Sequence, residues 1–262
     1  MDLMLSGKTA LISGSHRGTG ETIARTLAAE GTTVVIHGKE EADTQAVADD
    51  IPNAIAVWGN ISTEDGAAQV IEQTLARVKK LDVLINNYGT ADAGFWEKST
   101  AQDWASIYEK NVLSAVRLIN GFLPTLRHQG WGRIIQLGTI GSTQPNSRMP
   151  HYYASKGALA NLTVSLCKEL KNTGVSVNTV SPGLIKTEEL VAYYHYRASK
   201  KGWGENWEDI EKAAVKHDFP NPAGRLAERS DIADLVTFLC SPKADYINGQ
   251  NICVDGGALG LV

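Results

Sequence analysis

Short runs rich in Val, Ile and Leu recur along the chain. Each is followed by a longer stretch whose apolar residues return every three or four positions. "TALIS" (Thr9–Ser13) has the continuous apolar character of a buried strand, and "ETIARTLAAEG" after it places Ile23, Ala24 and Leu27 on one helical face, with Gly31 as a stop. The alternation continues with "TTVVIH" as strand, "EADTQAVADDI" as helix and "AIAVWG" as strand. "TEDGAAQVIEQTLARVKK" predicts a helix capped by Thr63, with basic residues in its last turn. "LDVLINN" is a fourth strand, and "TAQDWASIYEKNVLSAVRLINGFLPTL" predicts one long helical stretch with Pro124 near its end. "GRIIQLG" is a fifth strand, a helix carries "PHYYASKGALANL", and "GVSVNTVSPG" and "NICVDGG" close the series. Strands that alternate with helices form βαβ units. The prediction is an α/β fold: a Rossmann-like, doubly wound parallel sheet of about seven strands, covered by helices on both faces. No linker or repeat divides residues 1–262, so they are expected to form a single domain.

The segment 187–225 breaks this rhythm. It is polar and aromatic, with Tyr193, Tyr194, Tyr196, Trp203 and Trp207, and it lacks a clear strand. A connection of this length is expected to be a substrate-binding lid; a surface helical hairpin or an oligomer contact is the simpler alternative.

Composition narrows the function. The 262 residues carry a formal net charge of -4, which leaves no electrostatic footprint for nucleic acid or an anionic membrane. No apolar run reaches the length of a membrane span, and "MDLMLSGKTALISG" lacks the basic start of a signal peptide. The three cysteines, Cys167, Cys240 and Cys253, are widely spaced and show no metal-ligand pattern. Buried free thiols, at least for Cys240 and Cys253, and a reducing, cytoplasmic location are the expectation.

"SGSHRGTG" joins the first strand to the first helix, so Gly14, Ser15, His16, Arg17, Gly18, Thr19 and Gly20 are candidates to cradle a pyrophosphate at a helix N-terminus. Its spacing, G-x-x-x-G-x-G, differs from the commonest dinucleotide fingerprint. The second strand ends "VVIHGKEE". A carboxylate at its end would bind the ribose 2′-hydroxyl of NAD and repel a 2′-phosphate. Gly38 stands there instead, followed by Lys39, and Arg17 can reach the same region. NADP(H) is therefore preferred over NAD(H), although Glu40 and Glu41 close by leave NAD(H) possible.

Tyr152 and Lys156 lie four residues apart, on one face of a helix. Alone they titrate near 10 and 10.4, but an ammonium beside a phenol favours the phenolate and makes it a usable acid–base group. The ordered set "SGSHRGTG", "NNYG", "YYASK" and "SPG" resembles the short-chain dehydrogenase/reductase family over essentially the whole chain. The resemblance implies a catalytic set of Asn111, Thr139, Tyr152 and Lys156. Thr139 replaces the usual serine, because the family's paired serines are Gly138-Thr139 here, and Ser142 is a second candidate. It also implies that Asn87, Tyr88 and Gly89 form the ribose floor, with Tyr88 replacing an alanine. Asn60, with Ile61 beside it, is placed at the adenine, and Pro182, Gly183, Ile185 and Thr187 at the nicotinamide. Lys156 would also hold the nicotinamide ribose, and Asn111 a water that links Lys156 to solvent. Ser142, Arg148, Tyr153 and Tyr193 are candidates for the substrate pocket, with His151 beside them.

The expected reaction is hydride transfer between a nicotinamide and a carbonyl or secondary alcohol, with an apolar or aromatic ketone as substrate. Two rivals remain: a 3-oxoacyl-thioester (acyl-carrier-protein) reductase, and a non-catalytic NADP-binding sensor. The acidic stretch "ENWEDIE" speaks against the first, and the intact Tyr152–Lys156 pair against the second. No metal is called for, and a homotetramer or homodimer is what the family implies.

Overall fold

The computed structural model describes residues 1–260. In chain order its first half runs β1 (Thr9–Ile12), α1 (Gly18–Ala29), β2 (Thr33–Gly38), α2 (Glu41–Asp49), β3 (Ala54–Trp58), α3 (Glu64–Arg77), β4 (Val83–Asn86), α4 (Ala101–Tyr108) and α5 (Ser114–His128). The second half runs β5 (Gly132–Leu137), α6 (Pro150–Glu169), β6 (Val175–Pro182), α7 (Glu188–Lys201), α8 (Trp207–Asp218), α9 (Arg229–Cys240) and β7 (Asn251–Val254). The strands form one seven-stranded sheet in the order β3-β2-β1-β4-β5-β6-β7. Every neighbouring pair is parallel, as the βαβ pattern predicts.

Alternation along each strand feeds two cores. Ala10, Ile12, Val34 and Ile36 face the side covered by α1, α2 and α9, where they meet Ile23, Leu27 and Val236. Leu11, Val35, Leu84 and Ile134 face the side covered by α3, α5 and α6, where they meet Val70, Phe122 and Leu166. A strand with both faces covered needs apolar residues at every position, hence the unbroken runs in the sequence. Thr63 caps α3 as expected, its side chain accepting from the backbone N–H of Gly66.

Three elements differ from the sequence reading, one of them being α9, for which it had no counterpart. The stretch from Thr100 onward is α4 and α5 separated by a π turn at Glu109–Leu113 rather than one helix. Asn111 sits within that turn. A π turn inserts one residue into the helical repeat, which the hydrophobic period does not reveal because the apolar faces on both sides stay buried. The segment 187–225 is a helical hairpin, with α7 and α8 packed on a core of their own that includes Tyr194, Trp203, Trp207, Ile210, Ala214 and Phe219. Its two ends meet: Ile185 pairs with Ala227 in a parallel bridge, and the ion pairs Lys186–Glu228 and Glu188–Arg229 clamp the same base. The aromatic residues that suggested a ring-bearing ligand therefore largely hold the hairpin together. Cys240 is buried, while Cys167 and Cys253 are half-buried, and all three are free thiols.

Phe122 is fully buried at the centre of one core. Phe122→Ala is expected to lose about 3–5 kcal/mol, read in urea unfolding as a lower midpoint at an unchanged slope.

Candidate active site

β1 lies between β2 and β4. The chain winds outward to β3 and then returns to the other side of β1, so the loops after β1 and β4 part and leave a crevice at the C-terminal edge of the sheet. The loop Gly14–Gly20 forms one wall. Gly14 has φ +66, a left-handed turn that suits glycine, and its would-be Cβ would press on Tyr88. No side chain caps the N-terminus of α1, whose N-cap residue is Arg17. Free N–H groups there suit a phosphate.

The candidate cofactor residues divide by how they contribute. Ser15 is buried; its Oγ donates to the Ile12 carbonyl (2.7 Å) and accepts from the His37 N–H (3.0 Å), so the side chain pins the loop. The Asn87 amide donates to the carbonyls of Ser13 and Gly14 at 2.9 and 3.1 Å and tethers β4 to the loop. Tyr88 turns its ring toward His37, edge-on at 6.4 Å, and its backbone N–H donates to Ser13 Oγ (3.0 Å). Asn60 commits its side-chain Oδ1 to the N–H and hydroxyl of Ser62, and Ile61 buries its side chain in the core. Thr187 accepts from the Leu190 N–H (3.2 Å) as the cap of α7. At the end of β2 a Cβ on Gly38 would fall 2.2 Å from Thr44 Oγ1 and 3.1 Å from the His16 side chain. No carboxylate could stand at Gly38 without moving them. The His16 Nδ1 is buried without a hydrogen-bond partner, while Arg17 and Lys39 are exposed. This wall offers nitrogen donors and no acid at Gly38.

Thr139, Tyr152, Lys156 and Asn111 converge from three elements: the loop after β5, α6, and the π turn. Burial pushes the Tyr152 phenol up to about 12, with the neighbouring Thr139 side chain opposing that shift. The Lys156 ammonium is buried and donates to the Leu137 carbonyl at 2.7 Å. Burial pushes Lys156 down to about 8. The sequence reading expected the lysine to lower the tyrosine; the loss of water around the phenol is instead the dominant effect and raises it. Asn111 is buried, accepts from the Thr90 N–H (2.7 Å), and donates to the Thr90 carbonyl and to Ser155 Oγ, both at 3.0 Å. A side chain on Gly89 would meet Asn111 Oδ1 at 2.7 Å and Lys156 Nζ at 3.2 Å, so these groups line one cradle.

The substrate-side candidates are placed less uniformly. Tyr153 packs on Gly141, tilts against Tyr152 at 5.3 Å, and accepts from Asn146 Nδ2 at 2.9 Å. Ser142 Oγ is buried and unpartnered, and Arg148 is exposed on the same loop. His151 is buried against Trp104 and Gly94, its Nδ1 accepting from the Tyr152 N–H (2.8 Å). Tyr193 is 45% exposed on α7, with Tyr194 and Arg197 as its ring neighbours. Pro182 ends β6, and Gly183 and Ile185 follow it at the same sheet edge, with the Phe219 ring tip 2.6 Å from a would-be Cβ on Gly183.

Two polar residues at the site went unread in the sequence. Ser155 is fully buried between Tyr152 and Lys156, bonded to Asn111 and to the Tyr152 carbonyl (2.7 Å). His37 is a polar residue inside an otherwise apolar buried strand, and that contrast was its signal.

A family described as enoyl-(acyl carrier protein) reductase matches residues 14–258. The chain is a member of the short-chain dehydrogenase/reductase family. Among its relatives, the 3-oxoacyl-[acyl-carrier-protein] reductase of Escherichia coli (strain K12) is 32% identical over 252 residues, covering 96% of this chain and 97% of that protein. An uncharacterized oxidoreductase of Bacillus subtilis (strain 168) is also 32% identical, covering 98% of each. The L-sorbose reductase of Gluconobacter frateurii, solved with NADPH and L-sorbose, superposes with a TM-score of 0.93 at 29% identity over 100% of both chains. A 7α-hydroxysteroid dehydrogenase solved with NADH and 7-oxo glycochenodeoxycholic acid gives a TM-score of 0.85 at 30% identity, covering 98% of this chain and 96% of that one. This member of the short-chain dehydrogenase/reductase family is thus an oxidoreductase acting on CH–OH and C=O groups.

Gly138 precedes Thr139 just past the end of β5. Its would-be Cβ lies 2.6 Å from Ser181 Oγ and 2.8 Å from Thr179 Cγ2. Gly138→Ser is expected to cost about 1–3 kcal/mol by overpacking, measured as a lower thermal midpoint, without raising turnover.

Proposed function

We propose that the protein uses NADPH to reduce the carbonyl of a small, polar molecule to an alcohol. The observation that carries this reading is the convergence of Thr139, Tyr152 and Lys156 beside a crevice whose β2 end has no room for a carboxylate at Gly38. The residues fit a dinucleotide: an uncapped α1 N-terminus for the pyrophosphate, an unpartnered His16 with Arg17 and Lys39 toward a 2′-phosphate, and the Gly89 cradle beneath the nicotinamide ribose. NADPH, when bound, supplies the hydride. The chain's own residues manage the oxygen. Thr139 donates a hydrogen bond that polarises the carbonyl. Tyr152, whose desolvated phenol stays protonated at neutral pH, gives its proton to the oxygen as negative charge develops there. Lys156 keeps a positive charge behind the phenol, and Asn111, fixed by Thr90 and Ser155, holds the geometry around it. In oxidation the same groups act in reverse.

Support for a polar substrate comes from two sources. The loop before Tyr152 exposes Thr143, Gln144, Asn146 and Arg148, whereas Tyr194, Trp203 and Trp207 pack into the hairpin. The full-length structural neighbour solved with L-sorbose points the same way. The α7–α8 hairpin is the lid of this reading. A carrier-protein substrate is disfavoured by the exposed Glu205, Glu208 and Asp209 at the start of α8, which would repel an acidic carrier. Assembly as a homotetramer or homodimer, which light scattering would test, accords with the exposed apolar Leu113 and Val164 on the helical side.

NADPH is expected to bind more tightly than NADH in a fluorescence titration. A panel of a ketose, an aromatic ketone and a 3-oxoacyl thioester is expected to show turnover on the ketose, lost in Tyr152→Phe while NADPH still binds. NADH preference, or thioester as the best substrate, would overturn the reading. A second expectation concerns pH. Lys156 loses its proton as pH rises through about 8. Reductive kcat/KM for NADPH, which reports the free enzyme, should therefore fall above that pH, and Lys156→Met should be nearly inactive with no such limb.

A further inference from the structure

His37 is buried at the end of β2 and both ring nitrogens are engaged. Nδ1 lies 2.9 Å from the Gly14 nitrogen, and Nε2 lies 3.1 Å from the Gly59 carbonyl oxygen. A backbone N–H can only donate, so Nδ1 must be the acceptor. The proton is then on Nε2, facing a carbonyl that can only accept. A single neutral tautomer satisfies both contacts. The backbone of His37 adds two more, since its N–H donates to Ser15 Oγ and its carbonyl accepts from the Ser15 N–H (2.8 Å). The residue thereby joins the loop after β1, the end of β2 and the end of β3, where Gly59 leads into Asn60. Burial, with the His16 ring close by, pushes the imidazole down to about 4, in keeping with a group held neutral.

We propose that His37 is a positioning residue for cofactor binding: its Nδ1 fixes the Gly14 turn of the phosphate loop, and its Nε2–H ties that turn to the chain leading into the adenine pocket. The proposal rests on the dinucleotide reading of the crevice. His37 touches neither substrate nor the reacting atoms, and it acts through the shape of the loop. A loop free to lose the Gly14 turn would have to be reordered by each incoming cofactor, at a cost in affinity. The chemistry on α6 would be unaffected.

Two substitutions separate the contacts. The Oδ1 of an asparagine stands near the position of Nδ1, and the Nε2 of a glutamine near that of Nε2. His37→Asn is therefore expected to keep the Gly14 bond and cofactor affinity close to wild type. His37→Gln is expected to keep the Gly59 bond, lose the Gly14 bond and weaken NADPH binding about ten-fold, the scale of one neutral hydrogen bond. In both variants kcat should stay near wild type, and their thermal midpoints should fall together. Equal weakening in the two variants, wild-type affinity in His37→Gln, or a fall in kcat at unchanged KM would overturn the proposal. A nitrogen NMR spectrum of the wild-type imidazole supplies a readout that needs neither a folded variant nor turnover. A proton on Nε2 with bare Nδ1 supports the proposal, and a proton on Nδ1 defeats it. A wild-type protein that bound no nicotinamide cofactor would sink the proposed function, whereas the tautomer is read without any ligand.

Discussion

Parallel strand pairing is the constraint on which the site depends. Because every strand runs the same way, the loops after β1, β2, β4, β5 and β6 all emerge at one edge of the sheet. Gly14, Gly38, Gly89, Thr139 and Gly183 are widely separated in sequence, yet each follows or ends a strand there. The order reversal at β1 then opens a crevice at that edge rather than a closed seam. No single loop builds the site, and its geometry is inherited from the register of the sheet.

Within that edge, burial sets the chemistry. A lysine ammonium far from water is costly, and the protein retains it by aiming it at the Leu137 carbonyl and surrounding it with Asn111 and Gly89. The Tyr152 phenol is desolvated as well, which keeps it protonated at neutral pH. The π turn is the local irregularity that brings Asn111 into this cluster, and Ser155 bridges it back to α6. Irregular backbone at this point costs some helix regularity and is held by buried hydrogen bonds on both sides.

The hairpin of α7 and α8 shows how composition can mislead. Its aromatic residues look like a ligand surface when read in a line. Folded, Tyr194, Trp203 and Trp207 fill the space between two short helices that have no other core. Side chains needed to stabilise a small satellite cluster are not free to line a pocket. Tyr193 and Tyr196 stay exposed on α7, and the polar loop before Tyr152 is exposed as well.

The sequence by itself determined the architecture. Unbroken apolar runs and period-3.6 patterns are local, so seven strands, most of the helices up to α6 and the Thr63 cap could be read from neighbouring residues. It also determined the motif residues of the phosphate loop and the Tyr152–Lys156 spacing, because a helix fixes which residues share a face. Only the tertiary structure decided which atoms those residues meet. The desolvation of Tyr152 and Lys156, the π turn at Asn111, the closed base of the hairpin and the three-strand clasp of His37 all depend on contacts between segments distant in sequence. Burial and hydrogen-bond partnership are properties of the packed chain, and no local pattern encodes them.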